Sequence, residues 1–148
     1  MLSIGKLGEA AGVKVPTIRY YEQIGLLPEP ERSSGNQRLY GRAAQDRLAF
    51  IRHARELGFP LDAIRDLLSL SDRPDQTCAA ADAIAQAQLV AVEHRIARLN
   101  ALRAELQRMV AQCAGGRISE CRVIEVLGDH SLCKHDHSAS ANAEGAPV

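Results

Sequence analysis

Thirty-four consecutive residues, 78–111, contain neither Gly nor Pro, the two residues that most readily break a helix. Within and just beyond that run, Val92, Leu99, Leu106 and Cys113 recur every seven residues, with Leu89, Ile96, Leu102 and Met109 beside them. A heptad-like stripe of this kind belongs to one face of a long helix. At ~1.5 Å per residue the helix is about 50 Å long. A lone rod cannot bury an apolar stripe, and the simplest cover is the same helix of a second copy. The competing arrangement packs the rod back on the chain's own N-terminal part.

Hydrophobic residues make up 46% of the 148 and aromatics only 3%, with no Trp. A core is therefore available, and it must be aliphatic, which favours helix-on-helix packing and a mostly α fold. Net charge is +0. Residues 1–70 hold ten Lys and Arg against eight Asp and Glu, and residues 71–148 the reverse balance. That asymmetry is too small to identify a nucleic-acid binder by charge alone. No apolar run approaches the ~20 residues of a membrane span, and the N-terminus lacks a signal-peptide pattern. These features predict a cytoplasmic protein with no membrane partner. In a reducing compartment, four cysteines read as metal ligands or reactive thiols before they read as disulfides.

The first seventy residues read as short helices with sharp stops. Ile4, Leu7 and Ala11 have helical spacing, with Gly12 as the stop. A second helix is predicted over 15–24, with Pro16 tolerated in its first turn and Gly25 ending it. Two short helices joined by a tight turn make a helix-turn-helix. Pro28 and Pro30 break any continuation, and the turn signal Ser33-Ser34-Gly35-Asn36 predicts a small β-hairpin, or wing. A third helix is expected over 42–57, where Leu48, Ile51 and Ala54 share a face. A fourth carries Leu61, Ile64, Leu67 and Leu68 and closes at 71–74.

Four segments together resemble the MerR family of bacterial transcription regulators. Ile4-Gly-Lys-Leu-Gly-Glu-Ala-Ala-Gly and Thr17-Ile-Arg-Tyr-Tyr-Glu-Gln-Ile-Gly-Leu-Leu are similar to its helix-turn-helix. Arg32-Ser-Ser-Gly-Asn-Gln-Arg-Leu-Tyr-Gly is similar to its wing, and Phe50-Ile-Arg-His-Ala-Arg-Glu-Leu-Gly-Phe to the helices that follow. The resemblance extends to about Cys121. It implies a winged helix-turn-helix head over 1–70, a linker and dimerisation helix over 71–112, a metal-binding loop and short helix over 113–128, and a Cys/His-containing tail over 129–148.

The residue chemistry supports a DNA-reading head. Lys14, Thr17 and Arg19 fall at the start of the second helix, the end of a recognition helix that meets base edges and phosphates. Tyr20 can donate to a phosphate, and Asn36 and Arg38 are expected at the hairpin tip, placed for backbone or minor-groove contact. Without the resemblance, the same residues also fit solvated surface charges or, for Tyr20 and Tyr21, core aromatics. Tyr21 is expected to pack inward. No catalytic motif or organic-cofactor signature is visible, so an enzyme is not expected.

Cys113 and Cys121 bracket a short loop after the long helix, and Cys78 stands at its start. Thiolates are soft ligands, suited to Zn, Cu(I) and heavier thiophilic ions. The family's metal sensors carry two cysteines at the positions of Cys113 and Cys121, and its divalent-ion branch carries a further one at the position of Cys78. The resemblance therefore implies an antiparallel coiled-coil homodimer in which Cys78 of one subunit meets Cys113 and Cys121 of the other. A third thiolate favours Cd(II), Pb(II), Hg(II) or Zn(II) over a monovalent ion, and a helix start favours the thiolate form of Cys78.

The loop has no His, which weighs against zinc as the principal ion, while the seven-residue gap between the cysteines also resembles copper sensors. Cys133, His135 and His137, with His130 upstream, are a candidate second metal site or a tail that binds metal weakly. His53 and His94 read as surface histidines. The resemblance further implies operator DNA and RNA polymerase as partners and activation by operator distortion. A cysteine-based metal buffer is the rival from another class.

Overall fold

Ser3 begins the first helix by accepting the Lys6 N–H at 3.3 Å, and α1 runs Ile4–Ala11. Gly12 ends it at φ 66, where a Cβ would lie 2.6 Å from the Arg52 guanidinium. That guanidinium donates to the Ala11 carbonyl at 2.7 Å, one of the carbonyls the helix end leaves without an internal partner. The turn then enters α2, Val15–Gln23, with Pro in its first turn. The turn is tight because Gly8 lets the Val13 carbonyl approach to within 2.6 Å of where a Cβ would stand. This computed structural model of the protein describes residues 1–113 and 115–132.

The hairpin pairs β1, Glu31–Arg32, with β2, Arg38–Leu39, antiparallel, Glu31 opposite Leu39 and Arg32 opposite Arg38. Asn36 takes the positive φ of 64 that the turn needs, and the Ser33 hydroxyl accepts the Gln37 N–H at 3.1 Å. Leu2 and Tyr40 exchange backbone hydrogen bonds of 2.9 and 2.8 Å, which ties the chain start to the end of the wing. The wing is followed by α3, Arg42–Glu56, and α4, Leu61–Ser71.

Leu7, Ile18, Leu26, Leu27, Leu48, Ile51, Ala54, Ile64 and Leu68 are buried in one largely aliphatic core together with Tyr21 and Tyr40. Several arginines of the head serve it internally. Arg47 donates to the Leu26 carbonyl at 3.0 Å and Arg65 to the Ile24 carbonyl at 2.8 Å, where α2 ends. The modest positive excess of residues 1–70 is thus partly consumed as helix-end caps.

The Gly- and Pro-free run is a helix, α5, Ala79–Gln112. Cys78 lies one residue ahead of it instead of inside its first turn, its carbonyl accepting the Asp82 N–H at 2.8 Å. The chain divides into two compact units, Met1–Ala85 and Gln86–Val148, so the division falls within α5. Leu89, Ile96, Leu99 and Leu106 each leave more than half their surface in solvent. Near the end of α5 the pattern changes. Met109 is buried, and so is Glu105, paired with Arg108 at 2.8 Å. Arg108 also reaches the Leu132 carbonyl. Past the loop, a 3-10 turn at Ile118–Glu120 leads to α6, Arg122–Gly128, which buries Val126, and a second 3-10 turn follows at His130–Leu132. Among the described residues no helix is long and apolar enough to cross a membrane.

Candidate functional site

The head presents a polar face made by α2 and the wing. Lys14 is the extended residue before α2, exposed, and Thr17 is half-buried one turn on. Arg19 and Tyr20 are exposed on the next turn, Tyr20 at 47%, whereas Tyr21 is 8% exposed and belongs to the core. Helical geometry separates the two tyrosines: Ile18 and Tyr21, three apart, share the inward face. Asn36 is exposed at the hairpin tip, and its carbonyl accepts from Arg32 at 3.0 Å. Arg38 is not at the tip but two residues beyond it, within β2.

Arg38 has a partner that the sequence pattern left unread. Its Nε lies 3.3 Å from Oε2 of Glu22, whose side chain is only 9% exposed. The other carboxylate oxygen, Oε1, accepts the Tyr40 hydroxyl proton. Burial, and then the neighbouring Glu22 carboxylate, push the Tyr40 hydroxyl well above the ordinary tyrosine range, so it remains a donor. Glu22 stands four residues after the buried Ile18, at the margin of the inward face of α2. That i, i+4 relation was the available signal for a carboxylate turned toward the wing. Arg19, Glu22, Gln23, Glu29, Pro30, Arg32 and Arg38 line an open cavity of about 360 Å³ between α2 and the wing. Three guanidinium side chains around one groove suit phosphate oxygens.

The second unit sets Cys113 just after α5 and Cys121 just before α6, at the two ends of their loop. Gly115 and Gly116 take φ values of 75 and 98 there, which turn the chain back. Cys113 is exposed and Cys121 half-buried, and neither is in a disulfide. Cys121 is the residue before α6. The backbone N–H groups of Ile124 and Val123, with a smaller contribution from Cys113, hold its thiol below the ordinary cysteine range. Cys121 stands directly before α6 just as Cys78 stands directly before α5. The sequence signal was a cysteine directly before the short apolar run that forms α6.

Cys78 is exposed, and among the described residues no group of three or more Cys, His, Asp or Glu converges within one chain. His130 is exposed in the last 3-10 turn, while Cys133, His135 and His137 lie outside the described residues. His53 and His94 are exposed on α3 and α5, as expected for surface histidines.

Comparison with known proteins bears on both regions. Residues 2–71 match the profile of MerR HTH family regulatory proteins, and residues 45–109 that of MerR, DNA binding. The HTH-type transcriptional regulator ZntR of Escherichia coli (strain K12) is 42% identical over 130 residues, covering 86% of this chain and 92% of that protein. The mercuric resistance operon regulatory protein of Bacillus cereus is 37% identical over 125 residues, covering 84% and 95%. Among solved structures, the transcription regulator PbrR691 from Ralstonia metallidurans CH34 in complex with lead(II) superposes with a TM-score of 0.73. It has 42% sequence identity over 86% of this chain and 99% of that one.

Proposed function

The chain belongs to the MerR family of helix-turn-helix transcription regulators, and from that premise we propose that it is a dimeric, metal-responsive activator of a metal-resistance promoter. The observation that carries the proposal is that Cys113 and Cys121 bracket one short loop, with the Cys121 thiol held in a thiolate-favouring position, at the end of a helix with an uncovered apolar stripe. An ordinary surface loop has no use for two adjacent reduced thiols, whereas a soft ion does. Relatives crystallised with lead(II) or named for mercuric resistance support a divalent thiophilic ion, with Cd(II) and Pb(II) as the leading candidates.

The donor set fits. Cys113 and Cys121 supply two thiolates from one copy, and the exposed Cys78 is available to a second copy. Bound there, a soft divalent ion supplies bonds that join the loop of one subunit to the helix start of the other. Leu89, Ile96, Leu99 and Leu106 give the two α5 helices an apolar seam, and antiparallel pairing brings the start of one to the end of the other. Arg19, Tyr20 and Asn36, with Lys14, Thr17 and Arg38, hold one operator half-site per head. The heads change their relative angle between the two states and so distort the operator for RNA polymerase. Deforming such DNA costs on the order of 1–6 kcal/mol, which the difference in ion affinity between the two states must cover.

Two thiols in one copy also suit Cu(I), which accepts a two-thiolate site, and this is the second reading. A promoter-reporter panel with Cd, Pb, Zn, Hg and Cu salts separates them. Induction by Cd and Pb is expected, and induction by Cu alone would overturn the divalent assignment. A metal buffer would show no operator footprint.

A further inference from the structure

The groove between α2 and the wing is lined by Arg19, Arg32 and Arg38, yet two carboxylates, Glu22 and Glu29, line it too. Glu22 is nearly buried, with one oxygen on the Tyr40 hydroxyl and the other on Arg38 Nε at 3.3 Å. Tyr40 is 1% exposed, and its backbone is pinned to Leu2 by two hydrogen bonds, so it is a fixed post. Glu22 therefore has one partner that cannot move and one that would otherwise be a long, free side chain. Arg38 meets it through Nε, and no other partner holds its two outer nitrogens among the described residues. Those nitrogens border the groove that Arg19 and Arg32 also line.

We infer that Glu22 is a positioning residue for DNA recognition: the Tyr40–Glu22–Arg38 chain fixes the wing to the recognition helix and presents the Arg38 guanidinium, preformed, to a phosphate. The inference rests on the reading of the head as a DNA-binding domain. It makes a prediction opposite in sign to simple electrostatics. A negative charge beside a phosphate-binding groove repels DNA, so its removal alone would tighten binding and steepen the salt dependence. A positioning role predicts the reverse. Without the carboxylate, Arg38 must lose its rotamer freedom on binding, and the wing loses its tie to α2.

The test uses the full-length protein and a duplex selected by the wild-type chain from a randomised DNA library. Glu22→Gln keeps the shape and a hydrogen-bond acceptor for Tyr40 but removes the negative charge that faces Arg38. Its affinity is expected to fall about tenfold, the scale of losing one partly buried ion pair. In an Arg38→Ala background the same change is expected to have no weakening effect. Arg38→Lys, which keeps the charge without the planar guanidinium, is expected to lose nearly as much as Arg38→Ala, and it serves if Glu22→Gln folds poorly. Glu22→Gln binding as tightly as wild type or more tightly, an equal loss in the Arg38→Ala background, or wild-type affinity for Arg38→Lys would each overturn the inference. A wild-type chain that selects no DNA would overturn the DNA-binding reading itself, and this inference with it.

Discussion

The two units of the chain bury their apolar residues by opposite means. In Met1–Ala85, four helices and a wing close around Ile18, Leu48, Ile51 and Ile64, all at 0% exposure. In Gln86–Val148, Leu89, Leu99 and Leu106 of α5 stay open to solvent, and among the described residues the buried set shrinks to Glu105, Met109 and Val126. The head completes its core within one copy, whereas the rod presents a face that only another surface can complete. A chain built this way separates two tasks. Recognition needs a fixed local geometry, which an internal core supplies. Response needs an element whose state depends on association, which an unfinished interface supplies.

The largest effects should distinguish the two units. Leu48→Ala or Ile51→Ala should destabilise the head by about 2–5 kcal/mol, the range for truncating a well-packed core residue. Thermal denaturation would register this as a marked fall in the melting temperature. Leu99→Asp combined with Leu106→Asp should leave the secondary structure of the head intact but convert the protein to a monomer in sedimentation. A dimer that survives both charges would mean that α5 is not the seam.

Next come the thiols. Cys113→Ser or Cys121→Ser should abolish metal-dependent induction while sparing operator binding, since neither residue is in the head. Cys78→Ser should act more selectively, weakening induction by Cd(II) and Pb(II) most. Unchanged induction by those ions in that variant would remove Cys78 from the site.

The smallest effect concerns pH. The Cys121 thiol is lowered by the N–H groups of Ile124 and Val123, so the folded state favours the thiolate. The associated stabilisation is full above the ordinary thiol pKa and is lost as pH falls through the lowered value. Alkylation of Cys121 should accordingly persist to lower pH than that of a free cysteine, and soft-ion affinity should fall over the same lowered window. A pH profile matching free cysteine would show that α6 does not act on the thiol.

Much of this was legible in the sequence because it depends on local signals. Gly12 and Gly25, Pro16, the Ser33–Asn36 turn and the Gly- and Pro-free run each mark an element boundary through backbone sterics, and the helices and wing occur where those signals put them. Tyr21 packs inward and Tyr20 faces out, as helical spacing requires. The contacts that were not legible join residues distant in sequence or depend on an atom's direction. Glu22 reads as one more surface charge until the wing folds against it, eighteen residues before Tyr40. Arg38 was expected at the tip because a turn signal fixes the bend but not the register of the strands that leave it. Cys121 read only as a loop thiol, because the sequence does not show where the short α6 begins; the helix places it directly before its first turn, as Cys78 is placed before α5.

A mixed dimer tests the central claim most directly. One chain would carry Cys78→Ser, and the other Cys113→Ser with Cys121→Ser. Neither homodimer holds a complete three-thiol set, but the mixed dimer has one if Cys78 serves the opposite subunit. Coexpression of differently tagged chains, followed by Cd(II) binding to the purified mixed species, is expected to give one tight site per dimer. No tight site in the mixed dimer, where the wild-type dimer shows two, would contradict a site shared between subunits.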